Sequence, residues 1–174
     1  DDYQLRNLSG VLEVLNLLNL DLIGEKIQRA LDGIRLRGRF EILNFNNKEW
    51  IIDVAHNCQA SKSLVESVEK LPKCENNLGV FALQKTKNLQ KYFQHLVGLV
   101  DLWFLPNLNE RIFWKPREIQ SLLENFGVDK NHIHNFSSVS DAFNEINKRK
   151  ADERILVAGS FVIVKQVLEK IEAS

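Results

Sequence analysis

Ile51-Ile52-Asp53-Val54-Ala55-His56-Asn57 decides how this chain is read, because an apolar run ends abruptly in a carboxylate, an imidazole and an amide. A strand that is apolar along its length belongs to a parallel sheet with helices on both faces, and ligands gather beyond the carboxyl ends of such strands. Asp53, His56 and Asn57 therefore fall where a site is expected. Each also has a local explanation, Asp53 as a helix cap, Asn57 as a turn residue and His56 as a surface histidine. Their grouping is what favours a site.

On either side of this stretch, strand-period and helix-period segments alternate. Strands are expected at 40–45 and 50–54, joined as a hairpin through Asn46-Asn47-Lys48, and then at 78–83, 100–105, 132–136 and 154–158. Helices are expected at 59–71, 88–98, 117–126, 139–149 and 161–172. Alternation at this spacing implies right-handed crossovers and an α/β fold, a Rossmann-like, mostly parallel sheet with helices on both faces. Upstream, Leu8, Val11, Leu12, Val14, Leu15 and Leu18, then Leu22, Ile23, Ile27, Ala30, Leu31 and Ile34 recur at helical spacing, with a break around Asn19 to Asp21. This predicts a helical pair. The basic segment Arg35-Leu36-Arg37-Gly38-Arg39 reads as a linker between that pair and the sheet domain.

The 174 residues are 44% hydrophobic, enough for a substantial core, and 23 Lys plus Arg balance 23 Asp plus Glu. Zero formal charge gives no electrostatic case for nucleic acid or an anionic membrane as a partner. The apolar runs are too short to span a bilayer. Cys58 and Cys74 show neither metal-ligand spacing nor a disulfide framework, so free thiols and a cytoplasmic location are expected. The sequence contains no methionine and is expected to be a piece of a longer protein.

Three further elements could carry chemistry. In Val157-Ala158-Gly159-Ser160-Phe161 a strand runs into a helix, and Ser160 either caps that helix or holds a carboxylate. Its strand end and that of Asp53 point the same way in a parallel sheet and can face one crevice. Gln84-Lys85-Thr86-Lys87-Asn88 sets two lysines at another strand end, where they neutralise phosphate or only keep a loop soluble. Arg35, Arg37 and Arg39 could also grip phosphate. His132 and His134 alternate on an expected strand and share a face, but without a third ligand they do not make a metal site. Trp50, Trp103 and Trp114 are read as packing. Neither a Walker loop nor a Gly-x-Gly-x-x-Gly fingerprint occurs.

The series Gly38-Arg39-Phe40, Ile52-Asp53-Val54-Ala55-His56-Asn57, Lys85-Thr86-Lys87-Asn88, Trp103, Arg111 and Gly159-Ser160-Phe161 resembles, in order and spacing, the carboxyl-terminal part of folylpolyglutamate synthase/dihydrofolate synthase. Gln4-Leu5-Arg6-Asn7 looks like the end of that family's central ATPase domain. The resemblance divides the chain into terminal ATPase helices at 1–35, a linker at 36–39 and a glutamate-ligation domain at 40–174.

The family belongs with the Mur ligases, and the resemblance implies an ATP- and Mg2+-dependent ligase. In such enzymes the carboxylate of dihydropteroate or a folate is phosphorylated, and the amine of glutamate then attacks the acyl phosphate. It implies Asp53 and His56 as catalytic groups and His56 and Ser160 at the glutamate site. Asn7 is implied at adenine, with Arg39, Asp53, Asn57, Lys85 and Lys87 toward ATP. Gly38 is implied as a hinge. The missing ATPase domain is the implied partner, the whole protein is expected to be a monomer, and this piece alone is expected to be inactive for want of a P-loop.

Cys58 stands where that family usually has proline after His-Asn, and Arg37 where it has proline before Gly-Arg. Thr86 and Asn88 replace two aspartates, and Val162-Ile163 replace His-Thr. Two alternatives stay open from the residues: another Mur-type amino-acid ligase, and a non-catalytic binding module of the same shape.

Overall fold

The computed structural model describes residues 2–20, 24–33, 36–150 and 152–174. Two compact units are present, Asp1–Arg37 and Gly38–Ser174. The first holds α1 (Asp2–Leu17) and α2 (Gly24–Gly33), as the helical spacing predicts. Asp21, Leu22, Ile23, Ile34 and Arg35, which the reading placed in the helical break, the pair and the linker, lie outside the described residues. Gly38 and Arg39, read as linker, fall in the second unit.

The second unit is a six-stranded sheet with β1 (Glu41–Phe45), β2 (Lys48–Ile52), β3 (Asn77–Phe81), β4 (Leu102–Pro106), β5 (Ile133–Phe136) and β6 (Arg154–Ala158). Its helices are α3 (Cys58–Val68), α4 (Leu89–Phe93), α5 (Pro116–Asn125), α6 (Val139–Asn147) and α7 (Phe161–Glu172). The spatial order is β1-β2-β6-β3-β4-β5, and every pairing is parallel except β1 with β2. β6, last in the chain, is inserted between β2 and β3 and is buried along its whole length.

Side chains on alternate strand positions enter two separate cores. Trp50, Ile52, Val80, Phe104, Ile155 and Val157 pack with Ala142, Phe143, Ile146, Ile163 and Val167 of α6 and α7. Ile51, Phe81, Trp103, Leu156 and Ala158 pack on the other face with Leu64, Tyr92, Phe93, Ile119 and Leu123 of α3, α4 and α5. The helices after β2 and β3 thus lie on one face and the helix after β6 on the other. Where neighbouring strands send their helices to opposite faces the loops part, and a crevice opens at the carboxyl ends.

Several boundaries differ from expectation for local reasons. The hairpin turn is the pair Asn46-Asn47 alone, both left-handed at φ 51° and 53°, as a two-residue turn matched to strand twist requires. Lys48 is therefore the first paired residue of β2, opposite Phe45. Phe40 leaves the predicted strand because it turns at φ 47°. α4 stops at Phe93, and the chain continues in turns whose bonds mix three- and four-residue spans (Leu96 N–H to Phe93 O, Val97 N–H to Phe93 O). His132 closes a 3-10 turn (Lys130–His132) and lies outside β5, so it does not alternate with His134 on a strand. Trp50 and Trp103 are fully buried, whereas Trp114 is half-buried.

Candidate functional site

The strand that the opening heptapeptide predicts ends at Ile52, and Asp53 continues its ladder by one bond, from its N–H to Val157 O at 3.0 Å. Beyond it the polar groups divide their labour. Both Asp53 oxygens accept backbone bonds, Oδ2 from Phe40 N–H at 2.9 Å and Oδ1 from Ala55 N–H at 2.7 Å. Burial lifts this carboxyl above the usual 3.8; the two bonds, Arg39 and His56 pull it back only in part. Asn57 caps α3, its Oδ1 accepting from Ala60 N–H at 2.9 Å. The cap expected of Asp53 is thus made by Asn57, and Asp53 closes a tight turn and holds the Gly38-Arg39-Phe40 corner.

His56 donates from Nδ1 to Val54 O at 2.9 Å. That bond holds a proton on Nδ1, so that in the neutral ring Nε2 is the acceptor. His56 lines a cleft of about 190 Å³ together with Gln84, Lys87, Gly159, Ser160, Phe161 and Val162. The sheet thus brings three predicted residues, His56, Ser160 and Lys87, to one place from the ends of β2, β6 and β3.

Ser160 caps α7 as one of its two readings predicts, its Oγ accepting from Ile163 N–H at 3.3 Å, and it also lines the cleft. The adjacent ring of Phe161 is 62% exposed, with its centroid 6.2 Å from the His56 ring and the Arg39 guanidinium carbon 5.8 Å above it. A cation over an aromatic face next to an imidazole makes one continuous flank.

Other predicted residues lie apart from the cleft wall. Lys85 sits 3.8 Å from a Glu118 carboxylate oxygen and 5.7 Å from the Trp114 ring centroid, and it is not among the lining residues. Asp53 and Asn57 also lie off the wall. Asn7 is exposed on α1 in the other unit. Gln84, Phe161 and Val162 line the cleft although the reading assigned them no role. Phe161 carried the one signal that could have marked it, a large apolar residue directly after a Gly-Ser helix start.

Three of the departures from the family pattern, Cys58, Asn88 and Ile163, have local explanations. Cys58 opens α3, the first helical position, where proline is accepted only because its missing N–H is not needed. Asn88 caps α4 through Oδ1 at 2.8 Å from Lys91 N–H, a bond an aspartate would make equally. Ile163 is buried in the α7 core.

Among the described residues no three His, Cys, Asp or Glu side chains gather as metal ligands. His134 packs on Phe104 at 5.3 Å between ring centroids, and burial followed by the Arg149 charge lowers its pKa below 6.5. Among the described residues no helix is long and apolar enough to cross a membrane.

A mostly parallel sheet with a cleft at its switch point, where His56, Lys87 and Ser160 meet, is the setting of an α/β ligand-binding domain, and its family is definite. Residues 38–161 match the Mur ligase, glutamate ligase domain, and the chain belongs to that family. Within it, the chain is 31% identical over 170 residues to the dihydrofolate synthase/folylpolyglutamate synthase of Escherichia coli, covering 96% of this chain and 38% of that protein. Among solved structures, the E. coli FolC in complex with DHPP and ADP superposes with a TM-score of 0.79 at 30% identity, covering 93% of this chain and 37% of that one. The bifunctional folylpolyglutamate synthase/dihydrofolate synthase of Yersinia pestis complexed with AMPPNP and Mn ion gives 0.77 at 25% identity, over 92% of this chain and 37% of that one. This chain thus spans 38% of the length of the E. coli relative.

Proposed function

We propose that the full-length protein is an ATP-dependent ligase that adds glutamate to dihydropteroate or a folate, and that this chain supplies the glutamate-holding half of the site. The observation that carries the reading is the convergence of His56, Ser160 and Lys87 on one cleft in a chain of this family. ATP phosphorylates the acceptor's carboxylate and leaves as ADP; the glutamate amine then attacks the acyl carbon, loses a proton and expels phosphate.

In this reading His56 Nε2 and the Ser160 hydroxyl bind the incoming amino acid. Lys87 and Arg39 face the phosphates, a fit for two cations beside a cleft, and Lys85 adds longer-range charge. Asp53 acts through the backbone bonds that hold the Arg39 corner and the His56 turn, and Asn57 through the helix it caps. Asn7 contacts adenine. The P-loop and the magnesium ligands belong to an ATPase domain outside this sequence, residues 1–35 being its last helices and 36–39 the link to it. Closure of the two lobes keeps water from the acyl phosphate. The whole protein works in the cytoplasm as a monomer.

The test is an assay of the full-length protein with ATP, a folate acceptor and a panel of amino acids. Glutamate conjugation with one ADP per bond formed supports the reading. Preference for another amino acid, or nucleotide binding with no conjugate, overturns it.

A further inference from the structure

We infer that Tyr92 is a positioning residue for His56, acting through the carbonyl of Ala55; the inference rests on the reading of His56 as a glutamate-binding group. Tyr92 is fully buried on α4, and its hydroxyl donates to Ala55 O at 3.0 Å. The ring packs edge-on against Phe81 and Phe93. Phenylalanine would fill the same volume, so packing does not account for the hydroxyl. Burial and the neighbouring Asp53 carboxylate push the phenol well above its usual range, and it therefore stays a donor.

The segment beneath His56 is pinned at successive points. Asp53 N–H donates to Val157 O at 3.0 Å, Val54 N–H to Gly38 O at 2.8 Å and Ala55 N–H to Asp53 Oδ1 at 2.7 Å. Val54 O accepts the His56 ring at 2.9 Å. Ala55 O is reached from the helix layer, by Tyr92. That carbonyl and the His56 amide share one rigid peptide plane, so the bond that holds Ala55 O also sets the direction in which His56 leaves the strand. Removing the donor leaves a buried carbonyl unpaired, which the peptide relieves by rotating. Rotation carries the imidazole away from Val54 O and frees the ring to place its proton on either nitrogen.

The experiment uses the full-length protein with isotope-labelled histidine, as wild type, Tyr92→Phe and Ile119→Val, the last a control in the same core without this bond. NMR should show His56 in wild type protonated on Nδ1 alone, and Tyr92→Phe should give a mixture of tautomers. In kinetics, Tyr92→Phe should raise KM for glutamate roughly tenfold with KM for ATP unchanged, the scale expected for a misaligned binding group. An unshifted tautomer in folded Tyr92→Phe overturns the inference whatever the KM, and so does an equal shift in Ile119→Val. A shifted tautomer with unchanged KM upholds the positioning role and rejects His56 as a glutamate ligand.

Discussion

Gly159 lies so close to Ala82 that a Cβ built on it would stand 2.5 Å from the Ala82 carbonyl oxygen. This contact between the ends of β6 and β3 is what draws Ser160 toward Gln84 and Lys87. Gly159 also has φ 110°, a region that side chains rarely adopt. Backbone atoms cannot yield as a flexible side chain would. Gly159→Ala should therefore cost about 3 kcal/mol of stability, from strain and overpacking together. Urea unfolding checks this, and a variant as stable as wild type would show that the two strand ends are free to part.

Ser160 caps α7 and, in the proposed function, also holds glutamate, two roles that one substitution can separate. At an N-cap, Ala costs about 1 kcal/mol but Gly only a few tenths. Ser160→Gly should thus leave the unfolding midpoint nearly unchanged while raising KM for glutamate in the full-length protein. A purely structural serine predicts the reverse for the Ala variant, lost stability with intact glutamate kinetics.

Asp53 makes a pH signature. Burial holds its carboxyl above 3.8, so the folded state keeps a proton that the unfolded state has already lost. Its contribution to stability is largest below 3.8 and falls as pH rises through the folded value. Asp53→Asn does not titrate, and its amide loses one backbone acceptor at every pH. The deficit of the variant relative to wild type should accordingly shrink from acid to neutral pH in denaturant titrations. A deficit that grows toward neutrality would mean that the carboxylate is held by charge more strongly than it is penalised by burial.

The sheet was legible because its inner strands are largely apolar on both faces and the segments are punctuated by short polar turns. The alternation of Trp50 and Ile52 with Ile51 into opposite cores follows from the pleat alone. The order of the strands was not legible. Nothing in residues 154–158 states that they enter between β2 and β3, since that choice is made by packing of α6 and α7 on one face. Strand-end polarity placed the strand ends of His56 and Ser160 at one crevice, and Lys87, from a loop that could equally have been only solvated, lines the same cleft. Polarity could not distinguish groups facing the cleft from those bonded to backbone, such as Asp53 and Asn57, because both kinds of residue occupy the same short turn. Tyr92 was invisible for a related reason: in sequence it is one apolar helix position among several, and only the fold sets its hydroxyl under Ala55.

The most direct test of the account is the glutamate dependence of His56→Ala in the full-length protein. The account predicts a stability close to wild type and a rate at limiting glutamate at least roughly tenfold lower, as removal of a binding group from the cleft demands. An unchanged rate at limiting glutamate in a folded variant would contradict it.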